Sequence, residues 1–222
     1  MNTHLLCLLG GAVSAIALAV TVFLMRRQIQ RQTHAADVIV ALNTMLQSQV
    51  DELEQRAQDI EMLSEMSELL QISTAIDEAC SVLPAFGSRL FPGMRGAVFI
   101  TRGMAGLVES IASWNGEPLV ADFATTDCWA LRRAQSHAVT AGGIRCPHTH
   151  AMIGATLCVP MLARGEVIGV VTLNASDSAT IAPAIEQFAK TFADQIAFAF
   201  ANLRLQETLR TRAVRDALTG LY

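Results

Sequence analysis

The 222 residues contain no glycine-rich phosphate loop, no H-E-x-x-H helix, no nucleophile elbow and no D-F-G-like motif, so none of the common enzyme signatures is available to this chain. Cysteine is sparse: five residues, an odd number without the dense spacing of a secreted disulfide scaffold, which points to a reducing compartment. A net charge of -4 and the lack of a basic patch with interleaved aromatics exclude nucleic acid as an expected partner. There are only two Trp and five His, which makes any clustering of them informative.

Charge is also missing locally. Leu5 to Met25 carries no charged side chain, and as a helix it would extend roughly 30 Å, the hydrocarbon thickness of a bilayer. Arg26, Arg27 and Arg31 follow it, whereas no Lys or Arg precedes it. The positive-inside bias therefore predicts a single-pass helix over 5–25 in the cell inner membrane, with residues 1–4 outside and the remainder cytoplasmic. A cleaved signal peptide fits worse, because the basic cluster lies on the wrong side of the apolar run.

Between Gln28 and about Ser67 there is neither Pro nor Gly, and Gln, Glu, Asp, Ala and Leu dominate. Ala36, Asn43, Val50 and Ala57 at heptad position a place Ile39, Leu46, Leu53 and Ile60 at position d, a repeat sustained over about four heptads. We read 28–67 as a coiled-coil linker helix in a parallel homodimer, with Asn43, Val50 and Leu53 on the seam. Asn43 there favours one register of two strands. A helix folded back on its own domain is the alternative. Past Ile60 the stripe shifts to Leu63, Met66, Leu70, Ser73 and Ile76, which predicts packing on a sheet.

Leu83-Pro84 and Phe91-Pro92-Gly93 are expected to interrupt helical structure. Ala97–Ile100 and Leu107–Trp114 read as a hairpin, and a helical turn capped by Thr126 or Asp127 is expected over Cys128–Arg133. Ala155–Ala163 and Glu166–Asn174 flank the tight Arg164-Gly165 turn and must be antiparallel, with Pro160 marking an edge or bulge. Ile181–Arg215 reads as a long helix with Phe188, Phe192, Ile196 and Leu203 on one stripe. The predicted class is α+β, an antiparallel sheet flanked by helices.

The order of these elements, with P-M-L-A-R-G-E-V-I-G-V-V-T-L around Pro160, Gly165, Gly169 and Leu173, resembles a GAF domain over roughly 62–203. D-C-W-A-L-R-R with a later C-P-H is similar to a subgroup found ahead of bacterial output domains. Arg215 to Tyr222, R-D-A-L-T-G-L-Y, resembles the opening of GGDEF domains, which in that family are diguanylate cyclases making cyclic di-GMP. With the apolar run and the heptads, the resemblance implies a dimeric, membrane-anchored sensor, with 204–222 forming a signalling helix and the first turn of the output domain. The carboxylates and the GGDEF loop of that family lie beyond this stretch, so no catalytic residue is expected within it.

The segment Asp127–His150 is the hardest to explain by folding alone. Cys128, Trp129, Arg132, Arg133, His137, Cys146 and His148 are candidates for a sensor pocket, with the arginines suited to an anion. Cys128, Cys146, His148 and His150 offer a donor set for zinc or iron. Cys128 and Cys146 also suit a thiol redox pair beside Arg132, Arg133 and Arg145. The bland reading, with Cys128 and Cys158 as small buried apolar residues and the histidines capping loops, stands beside these. The ligand is open, either a metal ion or a small molecule. The functional alternatives are a stand-alone GAF and coiled-coil interaction protein, or a Cys/His metal or thiol redox sensor.

Overall fold

In the computed structural model the backbone is described for residues 2–102, 106–118, 120–140, 142–177 and 180–219; within the helices, the side chains of 2–20, 22–24, 29, 31–37 and 212–219 lie outside the description. The chain divides into two units, Met1–Gln58 and Asp59–Tyr222.

In the first unit the backbone is helical, part of α1 (Asn2–Ile72). Apolar residues of this unit from position 38 onward face solvent in the single chain: Ile39, Leu46, Val50 and Leu53 are each about half exposed or more, at 49 to 63%. Among the described residues no helix is long and apolar enough to cross a membrane. The span expected at 5–25 falls almost entirely on side chains outside the described set.

The second unit begins with the last turns of α1, where Leu63, Met66 and Leu70 are buried, as the shifted stripe predicts. Helix α2 (Ile76–Leu90) follows a break at Ser73–Ala75. Its N-terminal cap residue, Ala75, offers no side chain, so Glu78 reaches back instead and accepts from the Thr74 amide and hydroxyl. Those two bonds hold the Glu78 carboxyl below its usual range.

Pro84 does not interrupt this helix, contrary to expectation; it sits inside α2. The helix forfeits only the bond that position 84 would have made to the Cys80 carbonyl. Leu83, Phe86 and Leu90, all buried on one face, more than offset that loss, and α2 ends where Phe91-Pro92-Gly93 predicts.

Six strands form one sheet: β1 (Arg95–Arg102), β2 (Leu107–Trp114), β3 (Asp122–Ala124), β4 (His137–Val139), β5 (Ala155–Ala163) and β6 (Glu166–Ala175). Their order is β3-β2-β1-β6-β5-β4, with every neighbouring pair antiparallel. Arg164 and Gly165 connect β5 to β6 with φ of 53° and 83°, the double left-handed turn whose twist suits a two-residue hairpin. Pro160 pairs with Val170 on the inner side and lies beyond the end of β4 on the outer side, where no ladder bond is asked of it.

Strand alternation gives the sheet two dressed faces. Val98, Ile100, Leu157, Val159, Val171 and Leu173 point to the helices and pack with α1, α2 and α4 (Pro183–Thr219). On α4, Phe192, Ile196 and Phe200 are completely buried, so the expected stripe is chiefly a core stripe. The opposite face carries Ala97, Phe99, Cys158 and Val170, and the segment between β3 and β5 folds over it.

Candidate functional site

Cys158 owes its position to strand parity. Its neighbours Leu157 and Val159 face the helices, so its side chain must emerge on the other face, 1% exposed, beneath the covering segment. A three-residue 3-10 turn, Thr125–Asp127, brings the chain to Cys128, whose extended backbone (φ -119°, ψ 118°) caps the short helix α3 (Trp129–Arg133). Ala134, in the left-handed region at φ 52°, closes that helix after little more than a turn.

The second arm is another 3-10 turn, Pro147–Thr149, with Pro147 at its first position and Cys146 as its cap. The Thr149 amide and hydroxyl both donate to the Cys146 carbonyl, each at 2.9 Å. His148 within this turn lies against Phe123 of β3.

These pieces bring Cys128, Cys146, His148 and Cys158 together. One donor atom from each lies within 4.8 Å of all the others, and all four residues are buried. The Cys158 sulfur is 3.6 Å from His148 Nε2, and the Trp129 amide donates to Cys146 Sγ at 3.3 Å. His148 Nδ1 is buried and has no hydrogen-bond partner among the described residues.

Three thiols this close cannot all ionise. The Cys128 and Cys158 thiols donate to Cys146, and with His148 and the Trp129 amide they hold its pKa far below the ordinary thiol range. The same hydrogen bond to Cys146 pushes Cys128 up to about 11, and the bonds to Cys128 and Cys146, with burial, push Cys158 well above its usual value. Hydrogen bonding within the group thus favours ionisation at Cys146 over Cys128 and Cys158. Chemically the group is a soft, sulfur-rich donor set with one imidazole, suited to a thiophilic metal ion.

The other residues expected at the site are dispersed. Arg132 and Arg133 are exposed; the Arg132 guanidinium stacks 4.7 Å over the half-buried Trp129 ring, and Arg133 donates to Gln135. Neither arginine is buried with the thiols. His137 is on β4, its Nε2 2.9 Å from the Ile144 carbonyl, and Arg145 donates to the Gly154 carbonyl. His150 is exposed and stands outside the four-residue group; the fourth place belongs to Cys158. In the sequence Cys158 reads as a small apolar residue, and its parity against Leu157 and Val159 is the signal that places it on this face. The cavity beside this face, lined in part by Phe99, Met152, Thr172 and Asn174, measures about 10 Å³, room for a water molecule at most.

The model of the GAF domain family matches residues 61–200. The chain belongs to the GAF domain family. Among solved structures, this GAF domain is similar to that of an Acinetobacter phosphoenolpyruvate-protein phosphotransferase, at 12% identity and TM-score 0.55, covering 68% of this chain and 98% of that one. Free methionine-R-sulfoxide reductase from Neisseria meningitidis aligns at 13% identity and TM-score 0.58, over 68% and 93%. The phycocyanobilin-bound GAF domain of a cyanobacterial phytochrome aligns at 15% and 0.57, over 67% and 96%. At such identities the likeness speaks for the fold alone. No curated protein matches the chain. GAF domains are sensor modules of signal transduction, and this chain carries one.

Proposed function

We propose that this chain is the input half of a dimeric receptor, anchored in the inner membrane by residues 5–25, whose cytoplasmic GAF domain reads a ligand and regulates a diguanylate cyclase. The observation that carries the reading is a contact between the covering segment and the exit helix. Ser136, three residues past α3, donates its hydroxyl to Glu186 in the first turn of α4. A change in how the segment sits on Cys158 therefore acts on the start of the helix that leads toward Arg215–Tyr222. A switch of this kind needs a ligand with different affinity for the two arrangements.

Two further features support it. The exposed stripe of Ile39, Leu46, Val50, Leu53 and Ile60 has the heptad spacing of a two-stranded seam, and Asn43, also exposed, holds the a position that fixes register. The last octet has the D-x-L-T-G-L form of a GGDEF opening, and lies outside the described side chains. Partners in this reading are a second copy of the chain, the membrane and a GGDEF output domain.

Sedimentation of the full chain in detergent tests the assembly: a dimer is expected, converted to monomer by Leu46→Glu with Leu53→Glu. Monomers of the unaltered chain at every concentration would contradict it. Reading the gene beyond Tyr222 tests the output. N-R-R followed by a G-G-D-E-F loop supports a cyclase, and a stop codon would replace it with the interaction-protein reading.

A further inference from the structure

We propose that Cys128, Cys146, His148 and Cys158 bind one zinc ion per chain in a closed tetrahedral site. This gives the sensory site of the preceding section its ligand class and rests on that reading for its signalling role; binding itself needs only these four side chains.

The geometry favours a single small ion. A tetrahedron of sulfur ligands around zinc, with bonds of about 2.3 Å, has edges of about 3.8 Å. The four donor atoms here all lie within 4.8 Å of one another, and Cys158 Sγ is 3.6 Å from His148 Nε2. A binuclear iron–sulfur core interposes two metals and bridging sulfides between opposing thiolates, and needs a wider cage. Three cysteines and a histidine are a recurrent set for structural zinc, a d10 ion that accepts tetrahedral sulfur and nitrogen ligation without preference for an open position. With four protein donors, no position remains for substrate, so the site is not a catalytic one.

The surroundings also answer to a metal. Buried cysteine alone is a common small apolar residue. It does not account for four donors from three separate segments meeting at one point, with His148 Nε2 only 3.6 Å from Cys158 Sγ. A disulfide between any two of the thiols would leave the third and the imidazole without purpose. The Phe123 ring fixes the plane of His148, and the Trp129 amide approaches Cys146 Sγ, the kind of outer contact that orients a metal ligand. Coordination is not a redox step; thiol protons pass to water as sulfur–zinc bonds form. The ion would tie the 3-10 turns at 125–127 and 147–149 to β5, closing the covering segment on the sheet.

The test is elemental analysis of the full chain, purified without a histidine tag. One zinc per chain is expected, with the intense visible bands of a tetrahedral thiolate site when cobalt replaces it. Cys158→Ala should lose the metal, and His150→Ala should keep it. If the alanine variant fails to fold, the unaltered protein still decides: a strong chelator should lower its Tm by about 5 °C or more, and added Zn²⁺ should restore it. A folded protein with no zinc, no cobalt spectrum and a Tm indifferent to both reagents would overturn the proposal. That outcome would leave the dimeric relay intact, whereas a zinc-loaded monomer would overturn the relay and keep the site.

Discussion

The imidazole of His148 lies flat on the ring of Phe123, centroids 3.9 Å apart and planes 4° from parallel. Phe123 in turn meets Phe99 of β1 nearly edge-on, at 5.0 Å. The histidine plane is thus referred to the central sheet through two aromatic contacts. Phe123→Ala should cost about 3–5 kcal/mol in urea unfolding, the usual loss for a buried Phe. Phe123→Leu keeps most of the apolar volume and should cost less than about 1.5 kcal/mol. With the ring no longer held, zinc affinity measured against a competing chelator should fall about 10- to 100-fold.

Gly169 of β6 lies opposite Ile100 of the neighbouring strand β1. A Cβ there would fall on the Phe99 carbonyl oxygen and on the end of the Met161 side chain. Met161 can move, but the backbone oxygen belongs to the β1–β6 ladder and cannot. Gly169→Ala should destabilise by about 1–3 kcal/mol through this overpacking. Gly93 is the contrasting case, with φ 73° and open space around the missing Cβ. Gly93→Ala should cost about 1–2 kcal/mol from left-handed backbone alone, so chemical denaturation of the two variants separates crowding from conformation.

Glu186 carries a pH signature. Lys190, at 2.8 Å, and then the Ser136 hydroxyl hold its carboxyl below the ordinary range. A depressed folded-state value means that the stabilisation is present above the unfolded value near 4.5 and is lost as pH falls through the folded one. Because the ion pair is partly exposed to solvent, the amount is small, less than about 1 kcal/mol. Glu186→Gln should therefore unfold slightly earlier than the parent at pH 7, with the gap closing by pH 3 in paired denaturant titrations.

Much of this architecture was legible because period and turn chemistry agree. The β5–β6 hairpin follows from two apolar runs and Arg164-Gly165, and the core face of α4 from Phe192, Ile196 and Leu203 at helical spacing. Pro84 misled because proline weakens a helix without always ending one, and the apolar face of α2 decides the outcome. Half of the four-donor cluster's logic was legible. Cys128, Cys146 and His148 stand out in a short stretch, but His150 and Cys158 exchange roles once three dimensions apply: the tight 3-10 turn places His148 inward and leaves His150 outside, while β5 brings Cys158 in from ten residues farther along. Arg132 and Arg133 stand apart from the four donors, since charge in a motif says nothing of direction, and both are exposed.

Hydrogen exchange of the full chain with Zn²⁺ and with chelator is the most direct measurement of whether the site speaks to its exit helix. Slower exchange with zinc is expected across 125–158 and also in the first turns of α4, around Glu186, with the α4 response weakened by Ser136→Ala. Equal exchange in those turns under both conditions would contradict it.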